Sequence, residues 1–148
     1  MDQGIDDAPY FMVVSTRKNK EASEKMIAGV DFVLKEKGAD CRHITVPSVF
    51  EIPSTIEFSI RGHEFYSGRK RFDGFIVLGD VGSEDIDLLV YSSCTNALHK
   101  LILDHSLAIG NGIIKCDNKN KVEEVGRYAA ETCIEMLELK RQFGMRPR

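Results

Sequence analysis

The sequence predicts an α/β protein, a three-layer α/β/α sandwich built on a four-stranded parallel sheet. Three observations carry this. Short continuous apolar runs of strand length alternate four times with longer stretches in which apolar residues recur at helical spacing. The length, 148 residues, suits one domain and is too short for two. No internal repeat or low-complexity segment interrupts the pattern. Strict alternation implies helices on both faces of the sheet and right-handed crossovers.

Tyr10–Ser15 (YFMVVS) is an unbroken apolar run, as a strand buried on both faces requires. The polar turn Thr16–Asn19 follows, with Asn19 placed to cap a helix. In that helix Ala22, Met26, Val30, Val33 and Leu34 form the stripe, and Gly38 supplies the stop. Arg42–Val46 is a shorter second strand, ended by Pro47. Pro53 suits the first turn of a second helix carrying Ile56, Ile60 and Phe65. Residues 61–71 (RGHEFYSGRKR), polar and basic, read as its end and a surface loop. Phe72–Leu78 is the third strand, closing on Gly79. The third helix begins near Asp85 or Ile86, and its stripe is Val90, Tyr91, Cys94, Ala97, Leu98, Leu101, Ile102 and His105. Leu107–Ile114 is the fourth strand. The last helix spans about Lys121 to Phe143, with Val122, Val125, Ala129, Cys133, Met136 and Leu137 inside. Residues 1–148 form the expected domain, with 1–9 as an arm and 145–148 as a frayed tail.

Bulk properties exclude several classes. A net charge of −3 and a pI near 5.8 argue against nucleic acid as a main partner. The basic tail (Lys140, Arg141, Arg146, Arg148) is the solvated end of a helix. No apolar run reaches the roughly 18 residues of a membrane span, and the acidic, polar amino terminus is no signal peptide. Cys41, Cys94, Cys116 and Cys133 show no CxxC spacing, so the expectation is free thiols, no metal and a cytoplasmic location.

In an open parallel sheet ligands bind beyond the carboxyl ends of the strands. The loop after the second strand, Pro47-Ser48-Val49-Phe50-Glu51-Ile52-Pro53, is the most informative stretch. Two prolines stiffen it and fix where Phe50 and Glu51 point. An aromatic ring beside a carboxylate suits a planar, hydroxylated ligand. Spacing alone fits equally a hydrophobic anchor with Glu51 as a helix-start carboxylate.

VPSVFEIP resembles the Val-Pro-Gly-Ala-Phe-Glu-Ile-Pro signature of lumazine synthases. Strand one, the helix with Gly29, FDGFIVLGDV and the final IEMLELKRQFG resemble the same family in order, from about Phe11 to Phe143. The resemblance implies a flavodoxin-like sheet and a transferase of riboflavin biosynthesis. Such enzymes condense 5-amino-6-(ribitylamino)uracil with 3,4-dihydroxy-2-butanone 4-phosphate to 6,7-dimethyl-8-ribityllumazine, phosphate and water. They use no metal or organic cofactor, and their sites lie between neighbours in a ring of five, some rings forming shells. By resemblance, Val49, Phe50 and Glu51 hold the ribityl chain, while Lys18, Asn19, Asp80, Val81 and Gly82 lie along the pyrimidine. Ser83, Asp85 and Arg127 are the matching phosphate-side candidates.

The sequence departs from that family at four places. Lys18 stands where the family has an aromatic that stacks on the pyrimidine, and offers a cation instead. Leu88 stands where an ungapped match puts the family's proton-moving histidine, leaving the catalytic residue unassigned; His99 and His105 lie farther along the helix. The third loop holds Asp80, Glu84, Asp85 and Asp87 where a phosphate is expected, with Asp85 a candidate helix cap. The connection Lys115–Glu124 is short, and Lys119, Lys121 and Arg127 compete for the role of the family's phosphate-binding arginine. These departures leave two alternatives beside the enzyme: a structural or ligand-binding homologue that lost the chemistry, and a flavin- or nucleotide-binding module. The latter lacks a glycine-rich loop, having only Ser15-Thr16-Arg17-Lys18-Asn19 after strand one. The enzyme and structural-homologue readings expect a homo-oligomer, a pentamer or a multiple of five.

Overall fold

Strands apolar on both faces must be covered on both, and the alternating chain does this with two pairs of helices. A computed structural model of the protein describes residues 8–65, 70–115 and 121–145. In order it contains β1 (Tyr10–Thr16), α1 (Lys20–Glu36), β2 (Asp40–Val46), α2 (Ile52–Phe65), β3 (Gly74–Val81), α3 (Asp85–His105), β4 (Ile109–Lys115) and α4 (Val122–Gln142). A 3-10 turn, Val49–Glu51, leads into α2. Every strand pair is parallel, in the order β2-β1-β3-β4. The expectations for residues 1–7, the side chain of Phe65, Cys116, Lys119, Arg146 and Arg148 lie outside the described residues.

Alternate residues of each strand enter different cores. Phe11, Val13, Ile76 and Leu78 pack against α1 and α4, through Met26, Val30, Ala129, Cys133 and Leu137. Met12, Val14, Phe75 and Val77 pack against α2 and α3, through Ile52, Ile56, Cys94 and Leu98. β3 is buried at every position, which is why its sequence reads as an unbroken apolar run.

Strand starts shift by two residues, to Asp40 in β2, Gly74 in β3 and Ile109 in β4, and the end of β3, the cap of α3 and one core assignment also differ from expectation. β3 does not close on Gly79 but continues to Val81, because β4 still pairs there: Gly79 with Ile113, Asp80 with Ile114, Val81 with Lys115. α2 runs to Phe65, within the 61–71 stretch expected to hold its end, supported by Arg61 Nε donating to Glu57 Oε2 at 2.8 Å one turn back. The cap of α3 is Glu84 rather than Asp85. Met136 is 41% exposed whereas its neighbour Leu137 is 2% exposed. One residue is about 100° of helical rotation, which moves Met136 off the buried stripe.

α1 and α4 meet at backbone contact. A Cβ on Gly29 would overlap the Glu123 carbonyl oxygen, and one on Gly126 the Met26 carbonyl oxygen. Gly29→Ala therefore lowers stability by about 1–3 kcal/mol. Gly62→Ala in α2, where an added Cβ meets nothing within 4 Å, raises it by about 0.5–1 kcal/mol. Urea denaturation of both variants checks this, and a shift of the same sign in each contradicts the packing described. Burial pushes the Cys94 thiol up to about 11 and the Cys133 thiol up to about 12. Neither forms the reactive thiolate near neutral pH. Peptide mapping after alkylation of the folded protein should find both unlabelled, and both labelled after unfolding.

Candidate active site

The strand order places a topological switch between β1 and β3, since the chain steps from β1 outward to β2 and then crosses back to β3. A crevice therefore opens beyond the carboxyl ends of these two strands. Its floor is polar. Asn19 caps α1, its Oδ1 accepting from the Ala22 N–H at 3.2 Å, and its Nδ2 donates to Asp80 Oδ2 at 2.7 Å. One amide thus joins the start of α1 to the end of β3. Asp80 is only 9% exposed, and its other oxygen, Oδ1, is buried without a hydrogen-bond partner. Thr16 Oγ1, at the end of β1, is in the same condition. Buried polar atoms of this kind mark places where a ligand or water completes the bonding.

The loop after β2 folds over this crevice. Val49 is buried and its Cγ2 fills the space a side chain at Gly79 would occupy, so the loop is seated on β3. Ser48 Oγ donates to Glu51 Oε1 at 2.7 Å, holding the carboxylate. Phe50, between them, is 66% exposed. Val49 is therefore a packing residue that offers a ligand only its backbone, whereas Phe50 and Glu51 offer their side chains.

The third loop uses its acids largely on itself. Asp87 Oδ2 accepts from the Glu84 N–H at 3.1 Å, closing a capping box at the start of α3. A side chain at Gly82 would strike the Asp87 carboxylate, which keeps that position small. With Asp80 held by Asn19, Asp85 is left as the exposed acid of the first helical turn. Ser83 is exposed beside it, and Val81 is buried.

The model of the 6,7-dimethyl-8-ribityllumazine synthase family matches residues 9–141. The chain belongs to that family. It is 31% identical to the 6,7-dimethyl-8-ribityllumazine synthase of Bartonella bacilliformis, covering 97% of this chain and 98% of that one. The enzyme of that name from Agrobacterium fabrum is 31% identical, over 92% and 97% of the two chains. The 6,7-dimethyl-8-ribityllumazine synthase 1 of Mesorhizobium japonicum is 30% identical, over 93% and 88%.

After β1, Lys18 is exposed and Asn19, in the crevice floor, is half-buried. Leu88, 38% exposed, sits in the first turn of α3. His99 is eleven residues further on, about 16 Å along the axis, and His105 faces Glu57 at 3.4 Å near the far end of α3. Neither reaches the first turn. Arg127 belongs to the opposite helical layer: its guanidinium stacks over Phe32 at 4.3 Å and meets Glu123 at 3.4 Å. The chain bonds Asn19 to Asp80 and seats the Phe50–Glu51 loop through Val49 on Gly79, the residue before Asp80, but leaves Arg127 on the α1–α4 side of the sheet.

A cavity of about 680 Å³ lies at the other end of the sheet, bounded by strand beginnings such as Tyr10, Arg42 and Phe72. The crevice is the better candidate because the loops that follow the strands converge there. Sequence reading missed the Asn19–Asp80 bond and Thr16, because cap and strand end are 61 residues apart; an acid directly following a buried glycine-ended strand was the available signal. Asn19→Ala removes both the cap and the partner of Asp80. It is expected to lower stability by about 1–2 kcal/mol in urea, more than Asn19→Ser, which keeps a capping oxygen.

Proposed function

We propose that this crevice is one half of a lumazine synthase site, and that the chain condenses 5-amino-6-(ribitylamino)uracil with 3,4-dihydroxy-2-butanone 4-phosphate in riboflavin biosynthesis. The observation that carries the reading is the fixed pair Phe50–Glu51, with Glu51 oriented by Ser48 and Phe50 open to contact above the Asn19–Asp80 floor. Phe50 supplies ring contact to the substrate, and Glu51 accepts hydrogen bonds from the ribityl hydroxyls. The buried Asp80 Oδ1, lacking a partner, receives a donor from the pyrimidine, with the backbone of Val81 and Gly82 beside it. Lys18 replaces stacking by a mobile cation at the rim.

On the phosphate side, Ser83 and the first backbone amides of α3 donate, the Asp85 carboxylate being turned to solvent. Arg127 serves the site of an adjacent subunit rather than its own. α3 exposes Ile86 (64%), Leu89 (66%) and Leu103 (79%), apolar surface suited to burial between copies in a homo-oligomer of five or a multiple of five. Among the described residues no helix is long and apolar enough to cross a membrane. Free buried thiols at Cys94 and Cys133 suit a reducing, cytoplasmic setting. No cofactor, metal or nucleic acid enters this reaction.

A second reading, a relative that kept fold and assembly but lost chemistry, is favoured by Leu88. The two separate in one assay. Lumazine formation, followed by absorbance, should exceed the spontaneous rate and fall at least about tenfold in Glu51→Ala, the cost of a charged hydrogen bond. Leu88→His should raise it by on the order of 10²-fold if proton transfer limits turnover. A folded protein with no activity above background, in either form, would establish the second reading instead.

A further inference from the structure

At the opposite end of the sheet, three side chains from α1 and β2 converge on one point. Cys41 and His43, two apart on an extended strand, project from the same face of β2, and Asp31 reaches them from α1. Cys41 Sγ lies 3.4 Å from His43 Nε2, and Asp31 Oδ1 lies 3.1 Å from that same nitrogen. All three donor atoms fall within 4.8 Å of one another.

Two features distinguish this cluster from an ordinary hydrogen-bond chain. A histidine relay uses both ring nitrogens, one toward each partner; here thiol and carboxylate meet at Nε2 alone. One imidazole nitrogen carries either a proton or a lone pair, so it cannot donate to the carboxylate and accept from the thiol together. The two distances to His43 Nε2 are instead close to those between donors around a small ion. Tetrahedral zinc, with bonds of about 2.3 Å to sulfur and about 2.0 Å to nitrogen and oxygen, holds its donors about 3.3–3.6 Å apart.

We propose that Asp31, Cys41 and His43 form a binding site for a borderline divalent cation of the zinc class, separate from the substrate crevice. The mixed sulfur, nitrogen and oxygen set favours zinc over magnesium or calcium, which take oxygen donors. The side chains of His43 and Asp31 are 39% and 52% exposed, so the ion has an entry path and a fourth position for water. A bound ion ties the edge strand β2 to α1. The pair was hidden in sequence because a Cys-x-His strand spacing is not a zinc-finger spacing, and Asp31 joins only through the fold.

The test is titration of the full-length, chelator-treated protein with cobalt(II) and with zinc(II). One equivalent should bind, with a near-ultraviolet thiolate-to-cobalt charge-transfer band. Cys41→Ser should abolish the band, and His43→Ala and Asp31→Asn should each weaken binding by at least about tenfold. All three positions are partly or fully open to solvent, and circular dichroism confirms that each variant folds. Cys116→Ser should leave the band unchanged. Absence of the band, its survival in Cys41→Ser, or its loss in Cys116→Ser overturns the assignment. The readout is independent of lumazine formation, so its failure leaves the catalytic reading untouched.

Discussion

The backbone contact between α1 and α4 at Gly29 and Gly126 is the constraint from which the site is built. With no side chain between them, the two helices share one narrow layer, and the small residues Ala129, Ala130 and Cys133 bring α4 down onto the sheet. α1 can then hold only one position relative to β1 and β3. Its amino terminus lands where Asn19 spans from its capping bond to Asp80. A bulkier pair at the helix crossing would lift α1, and the amide would lose either the cap or the carboxylate.

That single amide also settles the electrostatics of the crevice. Four acids after β3 suggest a surface hostile to a phosphorylated substrate, since each exposed like charge nearby opposes it by on the order of 1 kcal/mol. The fold assigns most of them other tasks. Asp80 is bonded to Asn19, and Glu84 and Asp87 bond within the capping box. Their charges remain, but their positions are fixed by local structure, and the loop keeps Ser83 as a donor at its rim. The acidity of this loop is therefore chiefly a record of how α3 starts.

Much of the fold was legible because it rests on local pattern. Helical stripes in α1 and the unbroken apolar run of β3 exist only if those segments are buried as they are. The misses share one cause. The extension of β3 past Gly79 depends on β4, and Met136 depends on where α4 rolls against the sheet. Each is a tertiary fact with no local signature. The site divides in the same way. Phe50 and Glu51 stand in a contiguous motif and could be read. Asn19 and Asp80 meet through strand order, and Val49 also acts as the peg that seats its loop against Gly79.

The absence of a histidine at Leu88 weighs less than the retention of the loop after β2. General acid–base assistance contributes about 10²- to 10⁴-fold, or roughly 3–5 kcal/mol of barrier. Holding two reactants in register contributes on the order of 7–11 kcal/mol where the geometry is right. In a condensation of an amine with a ketone the second contribution is the larger, because both reactants must be captured and aligned before any proton moves. The residues proposed to align them are each held by a neighbour: Glu51 by Ser48, Asp80 by Asn19, and the loop by Val49 on β3. Water, or a buffer acid, can carry protons to an aligned pair, but no solvent species can align the pair. On the proposed function, a leucine at the histidine position with this framework kept removes the smaller part of the catalytic machinery.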